Sequence, residues 1–308
     1  MKLILEKIIT KFEEEQPEIV VWQIKVVCAV ILVYKLLSRD FSNFGFWPES
    51  VLLGYPFDIY TPDYILLTAI PPLFDLTTFH FIHWFIPLPS AEQFYFLQNI
   101  LILSAIALAV SPIRYTRMLG IVVYVICIYL WGFVYRAGQE IDAMFLIQGC
   151  LFVLAVIPRK ANKEKYSGYI YSSVLLIFVF YYFFSGVNKI IDLSLIEWLQ
   201  FDLLATNSSL LLAFQELNYR SVFEFPDIDF LPDITYTLSA AITYFVHLAA
   251  PMIFFQRTKL KLIFYWFFYS LFHLMTGYVG ILFTANFFVW LAIIPLFPDK
   301  KIKLQLGK

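Results

Sequence analysis

Tyr169-Ile-Tyr-Ser-Ser-Val-Leu-Leu-Ile-Phe-Val-Phe-Tyr-Tyr-Phe-Phe-Ser-Gly-Val-Asn188 runs without a single charge and stops at Lys189. About twenty apolar residues in a helix span the hydrocarbon core of a bilayer. The stretch therefore reads as a transmembrane helix that delivers one ammonium group to its far end. Two roles are open to that group. A lysine held partly out of water gives up its proton more readily and can serve as a base. It can equally be an anchor whose stem lies along apolar surface while its head reaches water.

The rest of the chain agrees on the class. Of 308 residues, 61% are hydrophobic, 20% aromatic and only 15% charged, whereas soluble domains carry about a quarter charged residues. The fold class is an all-α polytopic membrane protein. A net charge of −1 offers nucleic acid no basic surface. Cys28, Cys127 and Cys150 lie inside separate apolar runs with no CxxC spacing, which argues against thiol redox chemistry and a cysteine metal site. They read as small buried hydrophobes.

Hydropathy marks about eight spans, at 19–38, 93–110, 116–134, 142–157, 169–188, 234–255, 262–277 and 279–296. The last two are one apolar stretch divided at Thr276-Gly277-Tyr278. Charge decides the division. With the start of the chain cytoplasmic, the inner segments hold Lys2, Lys7, Lys11, Arg114, Arg117, Arg159, Lys160, Lys163, Lys165, Arg257, Lys259, Lys261, Lys300, Lys301, Lys303 and Lys308, sixteen of the 22 basic residues. The outer segments hold only Arg39, Arg136, Lys189 and Arg220, among many acids. Lysine and arginine bias sets topology, so both termini are expected in the cytoplasm of a cell whose plasma membrane holds the chain.

Residues 1–18 alternate apolar Leu3, Ile4, Ile8, Ile9 and Phe12 with charges and read as an amphipathic helix on the membrane surface. Residues 19–298 form one transmembrane domain, and 299–308 a basic cytoplasmic tail. The outer loop 39–92 has repeated proline breaks, and within it Tyr64–Ile70 and Leu76–Ile86 read as interfacial or re-entrant pieces. The outer loop 189–233 is long and acidic. Beyond the lipid bilayer itself, these two loops are where a partner protein or secreted peptide is expected.

Few residues are able to carry chemistry. Asn188 and Asp192 flank Lys189 with polar groups, and Gly186 lets another element approach the helix closely. His273 lies in the seventh span and His247 in the sixth. Ionisable residues at membrane depth face a bundle interior or a cavity, so the two histidines are candidates to hold a quinone or a substrate carbonyl, or else are satisfied interior histidines. His273, with Thr276 and Asn286 nearby in sequence, is the stronger candidate. His80 and His83 share a helical face but lack a third ligand, so no metal site is assigned. Phosphate loops, HExxH and GxSxG motifs are absent from the sequence.

Two blocks carry a resemblance. Tyr182-Phe-Phe-Ser-Gly-Val-Asn-Lys-Ile-Ile-Asp192 with Trp198, and Phe272-His-Leu-Met275 with Gly280, Phe283, Phe287 and Pro295-Leu-Phe-Pro298, are similar to the membrane domain of the vitamin K-dependent gamma-glutamyl carboxylase and its bacterial relatives, the HTTM (horizontally transferred transmembrane) proteins. The stretch from Pro87 through Trp131 matches only in hydropathy and spacing. The resemblance implies that Lys189 is the base that deprotonates a reduced quinone on the outer side, with His273 in the membrane core near that chemistry. The chain departs from the carboxylase in two ways. It shows no large lumenal domain, and Glu140-Ile-Asp142 stand where the carboxylase has a histidine. The resemblance thus does not imply glutamate carboxylation by this chain alone. Small HTTM proteins also include the membrane subunit of sporulation-delaying-type peptide toxin systems, which implies a role that depends on partners.

Three functions compete. One is a membrane enzyme or enzyme subunit with an outward-facing cavity at Lys189 and His273, with His247, Asn188 and Asp192 binding a lipid-like cofactor such as a quinone, or acting on a secreted peptide or lipoprotein. Another is a non-catalytic scaffold or maturation subunit. The third, a transporter, lacks inverted-repeat signals and paired charges deep in several spans.

Overall fold

The computed structural model describes residues 2–46, 88–136, 144–158, 162–192, 241–242, 244–256 and 258–278. Among them there is no strand. Eight helices follow in order: α1 (Lys2–Glu13), α2 (Glu18–Leu37), α3 (Ala91–Val110), α4 (Thr116–Arg136), α5 (Phe145–Val156), α6 (Lys163–Asp192), α7 (Tyr244–Phe254) and α8 (Lys259–Tyr278). Short 3-10 turns at Phe41–Phe46 and Ile113–Tyr115 follow α2 and precede α4. Four helices are long and apolar enough to cross a membrane, namely α2, α3, α4 and α6. The expected span at 279–296, the re-entrant pieces, His80 and His83, the loop beyond Asp192 and the tail lie outside the described residues.

Each long helix begins or ends where its sequence demands. Ser90 and Gln93 close a reciprocal capping box at the start of α3, with the Gln93 amide donating to Ser90 Oγ (3.3 Å) and the Ser90 amide to Gln93 Oε1 (2.9 Å). Pro17 precedes α2, and Pro112 stops α3. α6 starts at Lys163, six residues before its uncharged run, because charged residues can continue a helix into the polar interface.

α2 lies at the centre, packed against α3, α5 and α6, while α3–α4–α5–α6 pack in sequence. Two polar residues fasten α2 to its antiparallel neighbour. Lys25, fully buried, donates to the backbone oxygen of Ser111 at 2.5 Å and reaches Ser111 Oγ at 3.3 Å. Gln98 gives its amide N–H groups to Leu36 O (2.6 Å) and Arg39 O (2.8 Å) and accepts from the Phe41 amide (3.1 Å). Helix ends leave carbonyls without partners, and with little water at hand each costs several kcal/mol. These two side chains meet that need from within the bundle.

The opposite ends of the helices are drawn together by residues 11–18. Lys163 pairs with Glu18 at 3.0 Å, Asn162 donates to Glu15 at 3.1 Å, and the Gln16 amide donates to Glu164 O at 3.0 Å. Lys11 is buried. It pairs with Glu14 at 2.9 Å and donates to Gln256 O at 3.0 Å, while Ser172 Oγ donates to Lys11 O at 2.9 Å. Starts of α2 and α6 and the end of α7 therefore share one end of the bundle, joined there by Ser111 through Lys25.

Cys28, Cys127 and Cys150 are buried and free of disulfides. Far apart in sequence, they converge from α2, α4 and α5, with Cys150 beside Cys28 and Cys127 beside the Gln148 side chain. Among the described residues no group of three or more His, Cys, Asp or Glu side chains is arranged to hold a metal.

Candidate functional site

The site builds from a glycine. Gly186 on α6 has no side chain, and a Cβ placed there would stand 2.7 Å from His247 Cβ and 3.4 Å from Leu248 Cδ2. Only glycine lets the two helices meet so closely, and the element that makes this approach is α7. One turn earlier on α6, the ring of Tyr182 lies 5.8 Å from the His247 imidazole and 4.9 Å from the ring of Tyr269 in an edge-on contact. Tyr182, His247 and Tyr269 are all buried, and α6, α7 and α8 meet at them.

Proline shapes α7 at this point. Pro251 has no N–H, so the carbonyl four residues earlier, on His247, loses its helical donor. The Ala250 amide turns to His247 O at 3.3 Å, and Tyr269 Oη donates to Val246 O at 2.6 Å. Carbonyls freed by a proline are re-satisfied in this way by a neighbouring amide and side chain. Beside the cluster, Ser270 Oγ is buried with no hydrogen-bond partner among the described residues.

The expected catalytic and binding residues fall next to this cluster by register. On α6, Tyr171, Leu175, Phe178, Tyr182 and Gly186 are buried while Phe180 is exposed. Steps of three and four residues keep one face of a helix, so position 189 continues that buried stripe, about 4.5 Å along the axis beyond Gly186. Asn188 and Asp192 flank the stripe on one side. On α8, Leu260, Ile263, Phe264, Phe267 and Leu271 are exposed, and Leu262, Tyr269 and Ser270 are buried. Position 273, four residues after Tyr269 and three after Ser270, lies in the middle of the buried stripe. The side chains of Asn188, Lys189, Asp192 and His273 lie outside the described residues; their backbone is helical.

Of the predicted residues, His247 is thus brought against α6, while position 189 lies about two turns beyond Tyr182 and position 273 about one turn beyond Tyr269. Sequence reading missed Tyr182, Tyr269 and Ser270. The signal available for Tyr269 was Pro251, which announces a displaced carbonyl in need of a donor.

No family model, curated protein or solved structure matches the chain.

Proposed function

We propose that this chain is an integral membrane enzyme, or the membrane subunit of one, of the gamma-carboxylase-like HTTM type, built from eight spans in the plasma membrane with both termini cytoplasmic. Its site opens outward at the Asp192 end of α6. Lys189 acts as the base and His273 assists it, while His247, Asn188 and Asp192 hold a lipid-like cofactor of the quinone class or a secreted peptide or lipoprotein. Outer loops 39–92 and 189–233 dock the partner.

One observation carries this reading. Positions 189 and 273 continue the buried stripes of two helices that already touch through Tyr182 and Tyr269. A lysine anchored in lipid needs no such placement, whereas a base needs shelter from water and a facing partner. A lysine with a histidine beside it suits a flat ring bearing carbonyl groups. A reduced quinone would supply the acidic hydroxyl; Lys189 would take its proton at Nζ.

Substitution of Lys189 by arginine tests the proposal. Arginine keeps the charge that an anchor needs and does not lose its proton at accessible pH. The expected result is a Lys189→Arg protein inserted at normal level that fails to complement a deletion strain. Full complementation removes the base and leaves the scaffold or maturation subunit as the function.

A further inference from the structure

We propose that Tyr269 is a positioning residue for His247, acting through the backbone that Pro251 disturbs. The inference rests on the reading of His247 as a binding residue. With no proline N–H to receive, His247 O accepts from the Ala250 amide at 3.3 Å, the donor that a regular helix gives to Val246 O. Tyr269 Oη takes that carbonyl at 2.6 Å, one residue from His247. The same phenol ring abuts Tyr182, whose ring in turn covers the His247 imidazole, 5.8 Å away.

The three contacts form a closed circuit. The Tyr269 hydroxyl fixes the backbone of α7, its ring fixes Tyr182, and Tyr182 fixes the imidazole. Gly186 completes the seat, because α7 lies so close to it that a Cβ added there would stand 2.7 Å from His247 Cβ. His247 therefore points where Tyr269 sets it, and Tyr269 itself sits four residues before position 273 on the same face of α8. Displacing one histidine position displaces its relation to the other.

A double-mutant cycle on the whole protein in detergent or nanodiscs tests this. Tyr269→Phe keeps the ring and removes the hydroxyl. Pro251→Ala returns an N–H to the helix, so the Ala250 amide goes back to Val246 O and the hydroxyl becomes dispensable. Two quantities are read: the unfolding equilibrium in a denaturing-detergent titration, and the 15N resonances of the His247 imidazole, assigned with His247→Asn. In the natural background Tyr269→Phe is expected to raise the unfolding constant about tenfold and to move the His247 resonances. In the Pro251→Ala background the same substitution is expected to change stability less than about twofold. Equal losses in both backgrounds, loss of folding in both, or unmoved His247 resonances each overturn the proposal. His247→Asn that complements fully overturns instead the functional reading of His247, and the two failures are thereby told apart.

Discussion

Lys25 and Gln98 hold opposite ends of one helix pair: Lys25 on α2 secures the end of α3 at Ser111, and Gln98 on α3 secures the end of α2 at Leu36. Each helix supplies a side-chain donor to the C-terminal end of the other. The two clamps act about 20 Å apart along α3, given 1.5 Å per residue.

Loss of either clamp is expected to destabilise without changing the fold. Gln98→Leu leaves the Leu36 and Arg39 carbonyls and the Phe41 amide without this partner, at a cost of about 3 kcal/mol; Lys25→Met costs about 2 kcal/mol. Because the sites are remote, the double variant should show their sum within about 0.5 kcal/mol. Denaturing-detergent titration of the four proteins measures this. A strongly sub-additive double variant would mean that the two clamps act as one.

Gly186→Ala should cost about 1–3 kcal/mol by forcing two backbones apart, since the new methyl would meet His247 Cβ rather than the far end of a flexible side chain. Activity should fall by more than stability accounts for, because position 189 lies one turn away. An alanine variant with normal stability and full complementation would show that α6 and α7 have room to spare.

Positions 189 and 273 should be near one another. With the three native cysteines replaced, cysteines at 189 and 273 are expected to be joined by a bifunctional reagent of about 15 Å, the span of a pocket for one small ligand. Failure to join, with both single cysteines reactive, leaves only the scaffold reading.

Topology can be read in intact cells. A cysteine at Ser208 should react with a membrane-impermeant thiol reagent, and one at Asn162 should not. The native cysteines, all buried, should give little background. The reverse labelling pattern would sink the outward-facing site.

Much of the helical framework was legible because hydropathy and proline are local signals. The expected span 19–38 is helix Glu18–Leu37 and 93–110 is Ala91–Val110. Hydropathy placed the start of α6 too late, since it registers the apolar part of a helix and not the charged turn that continues it. At Gly186 the need for a close neighbour was legible from the missing side chain, but not that the neighbour is His247, because pairing between distant helices leaves no local mark. Lys25 shows the same limit: a lysine in an apolar run signals that a partner exists, and Ser111 is 86 residues away. The convergence of Cys28, Cys127 and Cys150 had no signal at all in their spacing.

The part-buried bond from Lys11 to the backbone of Gln256 spans 245 residues of chain. A ribosome makes Lys11 long before Gln256 exists, so Lys11 cannot complete its contacts until α7 has been made. Some of the earliest residues synthesised are thus among the last to settle. A bulky fusion placed before them would interfere at the close of assembly and not at its beginning.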